Sequence, residues 1–320
     1  MPLSTSPSVV ETSTGLVSAL RGAAGDAPKS FRPAHAKGHL LTGTFTPTPQ
    51  ASSLTTAPHF HFPSTPLTIR FSSSTGLPHI PDTEPTSNPR GIAIRFHLPT
   101  SPSGRRHHTD VIAHSTPYFP TRTGAEFLHL LQILGAGEKG KEELDAFLRS
   151  HPETVRFLQD PKPSPESFAT QRYWGVNAYR FVAEGGKEVF GRYRVLPAAG
   201  VHTLSAEELT DKSPDYLFEE LPERLEKGPV VFKLVVQVAA PGDGTDDATV
   251  IWPEDREVVE LGEVQVEGWV KDEESMAEQK KIIFDPIPRV EGIEASADPL
   301  LDVRASVYLI SGRERREAKE

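Results

Sequence analysis

The chain has 320 residues, no cysteine and a formal net charge of −10. Without cysteine there are no disulfides, thiolate nucleophiles, iron–sulfur clusters or cysteine-ligated metal centres, and the acidic balance argues against nonspecific nucleic-acid binding or an anionic-membrane patch. With 37% hydrophobic residues and no apolar run of about eighteen residues, the chain reads as soluble, able to bury a sizeable core, and cytoplasmic by default.

Residues 1–30 are rich in Ser, Thr and Ala, weakly helical around 17–21, and lack a charged-then-apolar signal pattern. They are expected as an arm or lead-in to a core domain of residues 31–320. Many of the 30 prolines fall before residue 120, which predicts an irregular first third around short strands. Residues 31–45, FRPAHAKGHLLTGTF, place His35 just before a strand over 40–45. Taken alone, a histidine there is more often structural or exposed than catalytic. In residues 66–78 Leu67, Ile69 and Phe71 share one strand face, with Arg70 and Ser72 on the other. His59 and His61 alternate, as on a solvated strand face. Residues 88–100 form the next strand, and residues 101–110, SPSGRRHHTD, a basic surface loop whose His107 and His108 have no partners at metal-ligand spacing.

The motif His114-Ser115-Thr116-Pro117 follows, and then a helix over 126–134 on which Phe127 joins Leu130, Leu131 and Leu134 as core. Helices over 141–149 and 152–158 read as scaffold. Residues 176–194 form a hairpin about a Glu-Gly-Gly-Lys turn. Residues 204–228 are helical, opened by a Ser205/Glu208 capping box and divided by Pro214 and Pro222 into short helices. Residues 229–241 are a buried strand. The acidic residues at 246–247 and 272–274 are loop or solvated-face charges, and no glycine-rich phosphate loop supports a dinucleotide site. The last helix, 298–316, carries Arg304 and Tyr308 four residues apart and so on one face. A guanidinium held against a phenol favours the phenolate, one of the few side-chain oxygens that ligate ferric haem. By itself the spacing is also what an amphipathic helix gives by chance.

Together these segments resemble the haem catalases. The 282–299 loop followed by Arg-x-x-x-Tyr resembles the proximal helix of that family, and Arg32-x-x-His35-Ala-Lys-Gly its distal-histidine segment. Arg70-Phe-Ser72 resembles the strand that places an arginine at a haem propionate and a serine against the distal histidine. The resemblance runs from about residue 31 to 316. It implies an α+β fold, a catalase-like antiparallel β-barrel with surrounding helices and haem b in the pocket between them. It further implies Tyr308 as iron ligand beside Arg304, Arg32, Arg70 and Arg315 on the propionates, Phe127 against the haem plane, and His35 with Ser72 as the distal pair. His114 stands where catalases carry the first asparagine of Asn-Asn-Thr-Pro; a second imidazole there changes proton handling, or it turns away and caps local structure.

The chain is short for a full catalase and lacks a long threading arm, which makes it similar to the small catalase-related haem peroxidases. That implies hydrogen peroxide activation through a Tyr-ligated high-valent oxo-iron species, oxidation of small organic and plausibly phenolic substrates, peroxygenase-like chemistry included, and a homodimer as the assembly. Two other readings are open: catalatic disproportionation or conversion of a fatty-acid hydroperoxide, and a haem-binding protein with little turnover.

Overall fold

The computed structural model describes residues 2–100 and 107–318. Its strands are β1 (Gly38–Pro47), β2 (Thr65–Ser72), β3 (Gly91–Leu98), β4 (His107–His114), β5 (Tyr173–Trp174), β6 (Tyr179–Val182), β7 (Glu188–Pro197), β8 (Val230–Val238), β9 (Val258–Trp269) and β10 (Ile293–Ala295). They run in the order β10-β6-β7-β5-β4-β3-β2-β1-β9-β8, and a further pairing of β7 with β8 closes eight of them into an antiparallel barrel. Closure removes the exposed edges that an open sheet would leave. The period-two pattern of β2 does what it predicts: Leu67, Ile69 and Phe71 enter a core shared with Phe45, Phe96 and Phe232. The opposite face is also buried at its end, where Arg70 is 3% and Ser72 4% exposed. Burial on both faces means that something covers the barrel there.

The covering is helical. The helices are α1 (Pro7–Ala23), α2 (Pro49–Leu54), α3 (Gly124–Gly135), α4 (Lys141–Ser150), α5 (Pro152–Gln159), α6 (Ala206–Thr210), α7 (Tyr216–Lys227), α8 (Asp272–Lys281) and α9 (Pro299–Glu317). The stretch expected as an arm or lead-in forms α1, a 17-residue helix. Small residues let it approach its neighbours: Ser13 Oγ donates to Val9 and Val303 carbonyls, and a Cβ on Gly15 would stand 2.7 Å from the Leu128 side chain. In the same way α3 comes close to α9 at Gly124, where a Cβ would stand 2.7 Å from Val303. Tertiary packing, not local propensity, makes α1 a full helix.

Two further expectations change, and residues 272–274 keep the solvated face expected of them but on a helix. Pro222 does not end a helix but lies inside α7. A mid-helix proline costs about 3 kcal/mol; burying Tyr216, Leu217 and Leu221 on the same helix offsets it at about 1.5–3 kcal/mol per side chain. The acidic residues 272–274 open α8, a polar helix with no apolar stripe to announce it. Residues 101–106 of the basic loop lie outside the described residues, and His107 and His108 begin β4.

His59 is not on a solvated face. It is 1% exposed, 4.0 Å from the Phe60 ring and 4.7 Å from Phe96, with no acceptor or donor at Nδ1. Burial, with a small contribution from His61, lowers its pKa to about 3. A folded value below the unfolded value of about 6.5 means that the unfolded chain binds the proton first, so stability is lost as pH falls below that value. We expect His59→Leu to relieve this: between pH 8 and pH 5 it should lose about 2 kcal/mol less stability than the wild type in urea titrations. Equal losses in both proteins would mean that His59 does not hold its neutral form on folding.

Candidate functional site

The site grows from a row of opposed strand residues. Gly38 faces Ser72, Ser72 faces Gly91, and Gly91 faces His114 across β1, β2, β3 and β4. Directly opposed residues of antiparallel strands project to one face. The glycines of this row make room: a Cβ on Gly91 would stand 2.8 Å from Ser72 Oγ and 3.0 Å from His35 Nδ1, and one on Gly38 would land on the Arg70 guanidinium. Into that space the loop before β1 delivers His35.

His35 adopts φ 55°, a left-handed conformation that costs a bulky residue about 1–3 kcal/mol. Surrounding contacts hold it. Arg70 Nη2 donates to the His35 and Ala36 carbonyls at 2.9 and 3.2 Å, Ala36 N donates to Thr75 O, and Ser73 N to Lys37 O. Ser72 Oγ lies 3.1 Å from His35 Nδ1. Burial lowers the His35 pKa to about 4, with Arg70, Arg32 and Arg304 adding to the shift and the Ser73 carbonyl opposing it. A ring whose Nδ1 side faces a hydroxyl and a carbonyl presents Nε2 as its free base.

His114 turns its Nδ1 toward the chain. Thr116 N donates to it at 3.3 Å, and Thr116 Oγ1 lies 2.7 Å away. A backbone N–H can only donate, so Nδ1 is the acceptor and the proton sits on Nε2. Burial lowers the His114 pKa to about 3, and Arg304 and His35 lower it further, which places all three around one pocket. His35, His114, Arg304 and Tyr308 keep some accessible surface although protein surrounds them, as residues lining an enclosed pocket do.

On α9, Arg304 Nη2 and Nε donate to Tyr308 Oη at 3.2 and 3.4 Å. Arg304 Nη1 donates to Asn177 Oδ1, and Asn177 Nδ2 donates to Asp298 Oδ2 at 2.7 Å, while the other Asp298 oxygen caps α9 by accepting from Leu300 N. Burial works against the Arg304 charge, but Tyr308, Tyr179 and Asp298 outweigh it and raise its pKa. Asp298, Asn177, Arg304 and Tyr308 thus form one chain of hydrogen bonds that fixes the phenol oxygen.

Three more guanidiniums converge. Arg32 Nη2 and Arg315 Nη2 both donate to the Ile282 carbonyl, at 3.3 and 2.8 Å, and Arg70 Nε donates to Gln279 Oε1 at 2.7 Å. Burial lowers the Arg32 pKa, and Arg70 and Arg315 lower it further; Arg70 falls to about 9 through burial and Arg315. Arg315 Nε is buried without an acceptor. Among the described residues no carboxylate lies within ion-pair distance of the three. Phe127 lies 4.9 Å from Phe119 in an edge-to-face pair and packs against the Leu130, Ile133 and Phe147 cluster.

Sequence reasoning missed Asn177, Asp298, Gln279 and Thr116. Only Asp298 carried a signal, as an Asp directly before Pro299 at a helix start. A surface groove of about 650 Å³, lined by Glu166, His202, Glu208 and Lys212 among others, contains none of the site residues.

Comparison with known proteins agrees with this geometry. The catalase family model matches residues 30–319. A catalase-related peroxidase of Mycolicibacterium paratuberculosis is 36% identical over 92% of this chain and 92% of its own length. Another of the same name, from Synechococcus elongatus, is 30% identical over 88% of this chain and 82% of its own. Among solved structures, a bacterial catalase superposes with a TM-score of 0.75 at 25% identity, covering 89% of this chain and 57% of its own. A fungal catalase shares the fold, with a TM-score of 0.76 at 23% identity over 89% of this chain and 59% of its own. The barrel, the helices that cover it and these matches lead to one assignment: the chain belongs to the catalase family.

Proposed function

We propose that the protein is a haem-dependent peroxidase that uses hydrogen peroxide to oxidise small organic donors such as phenols. The observation that carries this reading is the set of three buried guanidiniums with no carboxylate in ion-pair range among the described residues, together with a fixed phenol oxygen and a histidine that burial and neighbouring guanidiniums keep neutral. Haem b fits that donor set: its two propionates would supply the missing anions for Arg32, Arg70 and Arg315, and the Tyr308 oxygen would hold the iron. Bound there, haem supplies the iron redox chemistry that cleaves the peroxide O–O bond.

The chain's own residues handle the protons. Nε2 of His35 would serve as the base that accepts a proton from hydrogen peroxide and gives it back to the departing water. Ser72 holds the ring for both transfers. His114 Nε2–H donates a hydrogen bond to peroxide and, with its pKa near 3, stays neutral throughout the working range. Arg304, braced by Asn177 and Asp298, keeps the Tyr308 oxygen directed at its ligand position. Over the cycle one hydrogen peroxide and two phenols give two waters and two phenoxyl radicals. The two catalase-related peroxidases matched over most of their length support the preference for an organic donor over a second peroxide.

The test is a spectrum of the haem-loaded protein followed by peroxide with and without a substituted phenol. We expect phenol consumption with little oxygen release, and a fall of about 10²–10⁴-fold in His35→Ala at unchanged haem content. Vigorous oxygen release would point to a small catalase instead, and a spectrum unaltered by Tyr308→Phe would remove Tyr308 as ligand.

A pH profile checks the His35 role separately. The base works in its neutral form, so kcat/KM for peroxide should fall as pH drops through the folded pKa of about 4 and stay flat through 6.5. Propionates on Arg32 and Arg70 relieve part of the repulsion and move this limb upward, but burial remains, and the midpoint stays below the ordinary histidine value. A midpoint at or above that value would contradict the buried, neutral His35.

The glycine between the two histidines gives a third expectation. Gly91→Ala places a methyl group against both Ser72 Oγ and His35 Nδ1. A 1 Å displacement of a catalytic group can cost about 10²-fold. We expect a loss of that order in peroxide turnover with haem content retained; full activity would mean that the Ser72–His35 contact is dispensable.

A further inference from the structure

The polar row does not stop at His114. His114 is paired with Trp174 on β5, and Trp174 with Arg194 on β7. Opposed residues share a face, so His114, Trp174 and Arg194 stand side by side at a strand spacing of about 5 Å. The Arg172 guanidinium lies 5.7 Å from the Trp174 ring. Burial and nearby Arg172 both disfavour the charge of Arg194, and Glu254 opposes them.

This corner is short of acceptors. Trp174 Nε1, Arg172 Nε and Arg194 Nη1 are buried and unpartnered, and with Arg192 Nε they make up four of the eight such atoms among the described residues. Half of the unsatisfied buried polar atoms therefore sit on two short neighbouring segments, where a few per cent spread at random would be ordinary. Counter-charge is thin as well. Arg194, itself 7% exposed, donates through Nη2 to Gln237 Oε1 and reaches only the solvated Glu254, at 3.7 Å. Arg172 has no carboxylate in ion-pair range among the described residues. Arg192 is occupied: it donates to the Val250, Asp247 and Gly244 carbonyls and lies over the Trp252 ring.

We propose that Arg172, Trp174 and Arg194 form a docking site for the carboxylate of an organic electron donor, held beside His114. A carboxylate offers the planar pair of acceptor oxygens that guanidinium forks bind bidentately, and the indole N–H adds a third donor that no other residue uses. The inference rests on the peroxidase reading for the donor's fate, and on the unpartnered donors alone for its binding. It makes aromatic acids with a phenol hydroxyl the preferred substrate class over neutral phenols.

The probes are para-hydroxycinnamate and its neutral methyl ester, used as donors with hydrogen peroxide, and the non-oxidisable para-methoxycinnamate, used for calorimetric binding. In the wild type the acid should show a KM about tenfold below that of the ester, the worth of one good charge-assisted contact. Arg194→Gln and Arg172→Gln should each raise the acid's KM about tenfold, with kcat, the ester's KM and peroxide KM unchanged. Should Arg194→Gln not fold, Arg172→Gln at its half-exposed position carries the test alone. Equal KM values for acid and ester in the wild type, equal effects of the variants on both, or displacement of para-methoxycinnamate by the same concentration of sulfate would overturn the proposal. If neither donor is oxidised but para-methoxycinnamate binds the wild type and not the variants, the docking site stands and the peroxidase reading falls.

Discussion

Buried positive charge without its partner is the constraint on which the rest of the pocket depends. Arg32, Arg70 and Arg315 come from the loop before β1, from β2 and from the last turns of α9, so each ties a distant segment to one spot. Their backbone contacts do structural work in the absence of any anion: Arg70 holds the carbonyls of His35 and Ala36, and Arg32 and Arg315 share the Ile282 carbonyl. Those bonds position the guanidiniums but leave the charges repelling one another, as their lowered pKa values record. A dianionic ligand that binds only the folded chain removes this repulsion and stabilises the fold through linkage. Cofactor binding and the geometry of the distal loop are in this sense one equilibrium.

The two pocket histidines divide donor and acceptor roles by what touches Nδ1. A hydroxyl and a carbonyl beside His35 leave Nε2 as a base, whereas a backbone N–H at His114 forces the proton onto Nε2. An asparagine amide at the second position would also present an N–H, so the substitution keeps a donor there and exchanges an amide for a ring. With Nδ1 accepting from Thr116 N, and the charge of the ring disfavoured by burial and then by Arg304 and His35, the proton handling proposed for this second imidazole is that of a donor. The local capping contact expected of His114 is present at Nδ1, which accepts from Thr116 N.

Much of this was legible from residue patterns, and the exceptions share a cause. The strands 40–45 and 66–72, the 126–134 helix and the Arg304/Tyr308 helix follow from periodicity and helix spacing, because each buries one face against a neighbour close in the barrel. The Ser72–His35 contact follows the family motif. Gln279, Asn177 and the donor cluster around Trp174 had no such signal. Gln279 and Asn177 meet their partners Arg70 and Asp298 across 209 and 121 residues, and the Trp174 cluster is assembled from separate strands, which no local pattern encodes. His59 went wrong for the same reason. Alternation suggested a solvated strand, but a short turn folds it under β3 against Phe96, and nothing polar follows it there.

Charge distribution separates the site from the molecule around it. The chain carries a net charge of −10, yet Arg32, Arg70, Arg304 and Arg315 gather at one end of the proposed haem pocket and Arg172 and Arg194 beyond His114. Such a pattern repels anions at long range and holds them at short range, within a Debye length of about 8 Å at physiological salt. Electrostatic steering therefore gives an acidic donor no help in reaching the protein, and whatever preference exists must come from desolvated contacts at the site. Added salt screens the long-range repulsion and speeds encounter, while the selection made at the desolvated contacts persists. That distinction sets apart a cluster of buried, unpartnered N–H groups from a basic surface patch, whose affinity added salt would erase.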